Sequence, residues 1–160
     1  MGRVAFSDRV REARRVGDPS AVEALFPYAA LLGIRIAGVG DDGGARLAFH
    51  LPFREALIGS PTGGHLHGGV LAGFLEHCAI VQILWDGESA HPPRVINFAV
   101  DYLRPGEPET LHGSVEIRKQ GRRVANVHAQ AWQSTPSRAV AIGRGHFLLT
   151  PAGKGPAERR

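Results

Sequence analysis

The chain has 160 residues, 43% of them hydrophobic, with one cysteine and a formal net charge of +4. That length and apolar content suffice for one domain with a substantial core, and a single cysteine excludes an internal disulfide and a thiolate metal cluster. The charge is modest and comes almost entirely from arginine, with lysine only at Lys119 and Lys154; it permits an anionic ligand without demanding one, and with no basic run interleaved with aromatic residues nucleic acid is not an expected partner.

The first fifteen residues, MGRVAFSDRVREARR, carry charge throughout and lack the apolar stretch of a secretory signal. Residues 8–15 are expected to form a short helix. Asp18-Pro19 reads as an N-cap followed by the first helical position, opening a second helix expected to reach Leu32 and close at Gly33. Residues 34–39 and 45–51 are strand-like and flank the turn signal Asp41-Asp42-Gly43-Gly44, which predicts a hairpin. Residues 53–66, with Gly59, Pro61, Gly63 and Gly64, read as loop.

A long helix is predicted from Gly68 to Trp85, apolar on nearly every face and therefore expected to be buried on all sides. Glu76, His77 and Gln82 interrupt it, which argues against a membrane span; the expected location is cytoplasmic. Cys78, among apolar neighbours, is expected to be a core residue. Four strands follow, at 94–103, 110–119, 123–132 and 138–149, with consecutive strands expected to pair antiparallel. Ile96, Phe98, Val100 and Tyr102 share one face of the first, and Ala125, Val127, Ala129 and Ala131 one face of the third. Ala139, Ala141, Gly143 and Gly145 leave room on the last for something bulky. Residues 152–160 read as a disordered tail. The order predicts an α+β fold: a curved antiparallel sheet wrapped around one long central helix, in a single domain over residues 1–151 with an N-terminal helical segment at about 8–32.

Within the apolar helix, Glu76 is the chemical anomaly, because a buried carboxylate without a partner costs several kcal/mol or more. Either an arginine elsewhere pairs with it, or it points to a solvent edge, or it serves a ligand. Ala72, Gly73 and Ala79 leave space one turn away. The helix opens at His67-Gly68-Gly69, where backbone N–H groups at the positive end of the dipole suit an oxyanion. Gly68 and Glu76 stand roughly 12 Å apart along one helix, so for both to act on one carbonyl the helix start of one subunit must face the carboxylate of another. That predicts a site at a two-fold interface.

Taken together, Gly64-His65-Leu66-His67-Gly68-Gly69-Val70-Leu71, Glu76, and Asp101-Tyr102-Leu103-Arg104-Pro105 resemble the hotdog-fold acyl-CoA thioesterases, in the branch of phenylacetate-pathway and related aryl-CoA enzymes, over about residues 34–149. The resemblance implies hydrolysis of an acyl- or aryl-CoA thioester to free acid and CoA, with coenzyme A present only as part of the substrate and no metal. It implies that the N–H of Gly68, with Gly69, polarises the carbonyl, that Glu76 is nucleophile or general base, and that His67 belongs to the catalytic group, shaping the loop and contacting the carbonyl region. Ser60 stands nearest the place where relatives carry Asn or Gln, and Val95 where they often carry Ser or Thr. Ala72 and Tyr102 would line the acyl pocket, with Phe74 expected to pack in the core rather than join them, and Arg104, Arg122 and Arg123, with Arg118 and Lys119, would meet the CoA phosphates. A homodimer, paired further into a dimer of dimers, is the expected assembly.

Other readings remain open at this point. His65 and His67 with Glu76 and His77 could chelate a metal, although the resemblance implies none. A hotdog protein could also bind acyl-CoA without catalysis, or act as an enoyl-CoA hydratase or dehydratase with an acid/base pair around the substrate's α and β carbons.

Overall fold

The computed structural model describes residues 5–39, 46–60 and 62–151. The first expected helix is α1 (Phe6–Val16), which turns Val10 and Ala13 inward. The second is divided into α2 (Ser20–Glu23) and α3 (Pro27–Leu32). Pro27 has no N–H for the preceding turn and holds Phe26 in extended geometry, with φ −116° and ψ 94°, so one helix stops and another begins with proline in its first turn. The expected end at Gly33 is present, with φ 83°. Arg54 secures that end by donating from Nη2 to the carbonyls of Leu31 and Leu32, each at 2.7 Å.

β1 (Arg35–Val39) and β2 (Leu47–Leu51) form the expected antiparallel pair; the turn at 41–44 and the tail at 152–160 lie outside the described residues. β3 (Arg94–Tyr102), β4 (Leu111–Gln120), β5 (Val124–Trp132) and β6 (Ala139–Leu148) complete one antiparallel sheet in the order β1-β2-β4-β5-β6-β3. Pairing of consecutive strands holds through β4, β5 and β6 and fails at β3, which crosses to the far edge and pairs with β6. The 103–110 connection carries Pro105 and Pro108 and makes no hairpin between β3 and β4. The small residues of β6 do admit a bulky group, and it is the chain's own Phe98: a Cβ on Gly143 or Gly145 would fall 2.5 Å from that ring.

α4 (Gly68–Asp86) crosses the sheet and buries Phe74, Leu75, Cys78, Val81 and Leu84 completely. Phe74 packs so closely on Gly113 that a Cβ there would come within 2.6 Å. By length and composition α4 could cross a membrane, contrary to the sequence expectation; its apolar residues are instead committed to the sheet. Burial on all sides is not observed either. Gly69, Ala72, Gly73, Glu76 and Ile80, at three- and four-residue spacing, form one stripe left open or half-open. The candidate chemistry lies along that stripe.

Candidate active site

His67 sets the start of α4. Its N–H donates to Leu57 O at 2.9 Å, and its carbonyl accepts from the N–H groups of Val70 and Leu71. Its Nδ1 accepts the Gly69 N–H at 2.9 Å, capping the helix. That bond requires an unprotonated Nδ1 and leaves the ring proton of the neutral imidazole on Nε2. The two backbone donors expected to act together are therefore differently placed. Gly69 N–H is engaged by His67, whereas Gly68 N–H meets no acceptor among the described residues. One donor remains available at the positive end of a 19-residue helix.

Tyr102, at the end of β3, donates from its hydroxyl to the Gly68 carbonyl at 3.0 Å, with its ring 3.5 Å from where a Gly68 Cβ would be. A residue expected to line the acyl pocket thus holds the helix start in place.

Two turns along α4, Glu76 is half-buried and has no ion pair or hydrogen bond among the described residues. No arginine among the described residues pairs with it, which leaves a solvent edge or a ligand as the reason for its place. Desolvation pushes its carboxyl above the usual carboxylate range, with no cation to offset the shift. Ala72, half-exposed, and Gly73 leave the helix surface beside it bare.

The other expected site residues are not all gathered here. Arg104 Nη1 donates to Ala139 O at 2.6 Å, tying the segment after β3 to the start of β6 near the Gly68 end. Arg122 and Arg123 are exposed in the β4–β5 turn, next to Gln120, whose side chain packs against Gly87 at the opposite end of α4. That end is about 27 Å from Gly68, so one protomer does not bring these arginines together. Ser60 Oγ stays within its own loop, 3.2 Å from Thr62 Oγ1 and accepting from Gly63 N–H at 3.3 Å. His77 points away from the stripe, edge-on to Phe26 at 5.1 Å between ring centres. No three His, Cys, Asp or Glu side chains come together in metal-binding fashion among the described residues. Cys78 is buried and its thiol is pushed well up by burial.

Two further features bear on the site. β3 is an edge strand with its charge near its ends, at Arg94 and Asp101, and Val95, Ile96 and Tyr102 exposed along it. Such an edge invites pairing. From α3, Tyr28 reaches α4 beside Gly73, one turn before Glu76. Sequence reasoning had no means to single out Tyr28, because which face of that short helix packs inward depends on tertiary contacts.

Residues 58–148 match the family model described as the acyl-CoA thioesterase N-terminal domain. The chain belongs to this family. Among solved structures, a Chromobacterium violaceum protein is 39% identical over 91% of this chain and 98% of its own, with a TM-score of 0.73. A phenylacetic acid degradation-related protein of Ralstonia eutropha is 23% identical over 77% of this chain and 89% of its own, with a TM-score of 0.67. The PaaI protein of the Escherichia coli phenylacetic acid degradation operon is 18% identical over 91% and 96%, with a TM-score of 0.71. No curated protein matches the chain. The acyl-CoA thioesterase family and its hotdog fold account for the curved sheet, the central helix and the glycine-rich helix start. α1 to α3 lie outside the family span.

Proposed function

We propose that the protein hydrolyses an acyl-CoA thioester as a homodimer, with Glu76 of one subunit and the Gly68 N–H of the other acting on one carbonyl. The observation that carries this is the unpartnered, desolvated carboxylate on the open stripe of α4, about 12 Å from an unsatisfied N–H at the same helix's start. A single protomer cannot aim both at one atom. Antiparallel pairing of the exposed β3 edge with a second copy also reverses the direction of α4, which lets each helix start face the partner's carboxylate. With that alignment, Arg122 and Arg123 of the partner subunit fall about 15 Å beyond the start of α4, toward the phosphate end of an extended CoA.

In the step itself, Glu76 takes a proton from water as the water oxygen attacks the carbonyl carbon. The resulting oxyanion accepts from Gly68 N–H; the C–S bond then breaks, and the CoA thiolate leaves with the proton returned from Glu76. Alternatively a Glu76 oxygen attacks, forming a mixed anhydride that water cleaves. A single turnover in ¹⁸O-water that leaves label in Glu76 establishes direct attack, with water opening the anhydride at the Glu76 carbonyl. Phenylacetyl-CoA is the first substrate to assay, given the names of the Ralstonia eutropha and Escherichia coli structures.

The deciding experiment mixes two inactive chains. Glu76→Gln removes the carboxylate. Gly68→Pro removes the N–H at a helix position where proline is well tolerated, and His67, at φ −64° and ψ 134°, already has the extended geometry a following proline requires. Each variant alone should release little thiol. Subunits refolded together in equal amounts should recover roughly one quarter of wild-type activity, because half the dimers carry one complete site of two. No recovery in confirmed mixed dimers would place the two groups in separate chemistry. Hydration of crotonyl-CoA without thiol release would favour the hydratase reading, and tight acyl-CoA binding without turnover the noncatalytic one.

A further inference from the structure

One of the helices outside the family span reaches the candidate site. α3 buries Ala29 and Leu32, and Arg54 fixes its end. Its opposite face presents Tyr28 and Leu31, three residues apart, with 57% and 70% of their surface exposed. The Tyr28 hydroxyl lies 3.3 Å from the position that a Cβ on Gly73 would take, and a ring carbon 3.7 Å from it. The bare backbone at Gly73 lets the Tyr28 ring rest close against α4, where a Cβ would press on its hydroxyl by a few tenths of an ångström. Gly73 and Glu76 are one turn apart on the same face of α4, with Cβ positions on the order of 6 Å apart.

An aromatic ring and a leucine on a fixed helix, uncovered in the protomer and beside an unpaired carboxylate, have the composition of a pocket wall: largely apolar, with one polar atom. We propose that Tyr28 and Leu31 form the wall against which the substrate's acyl group packs, and that Tyr28, by filling the space over Gly73, limits its length. Compact acyl or aryl groups then bind in preference to extended chains. The inference rests on the thioesterase reading of Glu76 for its substrate class. Its structural basis is independent of that reading: the packing of α3 on α4.

The test compares phenylacetyl-, butyryl- and decanoyl-CoA in wild type, Tyr28→Phe, Tyr28→Ala and Leu31→Ala. It reads kcat/KM for each, and the affinity of matched nonhydrolysable acyl-CoA thioethers by calorimetry. Tyr28→Ala should raise kcat/KM for decanoyl-CoA relative to butyryl-CoA by about tenfold or more, mostly through KM. Thioether affinities should move in the same order, and Tyr28→Phe, which keeps the ring, should retain the wild-type ranking. An unchanged ranking in folded, dimeric Tyr28→Ala and Leu31→Ala overturns the proposal. Dissociation of those variants to monomers also overturns it, by assigning the two side chains to subunit contact. If wild type releases no thiol but the thioether ranking shifts in Tyr28→Ala, the wall stands and the hydrolytic reading fails; if thiol is released and the ranking does not move, only the wall fails.

Discussion

The Tyr102 hydroxyl donates to the Gly68 carbonyl at 3.0 Å, which joins the end of edge strand β3 to the first residue of α4. The edge strand proposed to pair with a second copy therefore also positions the proposed oxyanion donor. Tyr102→Phe keeps the ring against Gly68 and removes only the hydrogen bond. It should lower kcat by roughly ten- to a hundredfold through misplacement of the donor, with KM little changed, while stability falls by only about 0.5–1.5 kcal/mol. Steady-state kinetics and urea unfolding on the same preparation check both. A variant with the stability loss but wild-type kcat would show that the bond serves the fold alone.

Ile96 lies on that edge strand with 55% of its surface exposed. A charge pointing from an edge strand into an apolar interface is costly when the strand pairs and nearly free when it does not. Ile96→Lys should yield a folded monomer by light scattering, with its thermal transition intact, and thiol release reduced by about a hundredfold or more because each site loses its second subunit. An active dimer carrying this substitution would move the subunit contact away from β3.

The fold was largely legible because its signals are local and periodic: alternation in β5, the apolar run of α4, and the short β4–β5 connection through Gln120-Gly121-Arg122. The position of β3 was not, since strand order depends on which edge is open. The division at Pro27 carried a local signal that the apolar pattern around it obscured. At the site, Glu76 stood out because a carboxylate in an apolar run demands a reason. Gln82, which also interrupts that run, is structural: its Oε1 accepts the buried Leu47 N–H at 2.7 Å and ties β2 to α4. Composition could not separate the two, because the difference lies in whether a partner from a distant segment arrives. The capture of Gly69 N–H by His67, and the reach of Tyr28 to Gly73, depend on rotamers and packing in the same way.

Glu76 titrates under desolvation, so its acid-limb signature should lie above the ordinary carboxylate range. Activity that needs the carboxylate should fall as pH drops through the raised value, in kcat/KM, and at higher pH than an exposed glutamate would give. Stability moves oppositely. Between the unfolded and raised native values the native state binds more protons, so stability decreases as pH rises through that window. Glu76→Gln should remove this slope and raise the melting temperature at neutral pH while abolishing turnover. A lower melting temperature would show that the ionised carboxylate is stabilised by its surroundings.

The neighbouring residue titrates with the reverse sign. His77 is buried against Phe26, and desolvation lowers its value from 6.5 to about 4 despite the opposing attraction of Glu23. It is neutral in the fold throughout that interval, whereas the unfolded chain binds a proton below 6.5. Stability contributed by the neutral ring is thus fully present above the unfolded value and is lost as pH falls toward the folded one, by about 3 kcal/mol at most. His77→Leu keeps an apolar side chain against Phe26 and cannot charge. Urea unfolding at pH 7 and pH 4.5 should show wild type losing more stability than the variant on acidification, by an amount of that order. Equal losses would mean that His77 gains its proton within the folded protein, and that the contact with Phe26 opens to water.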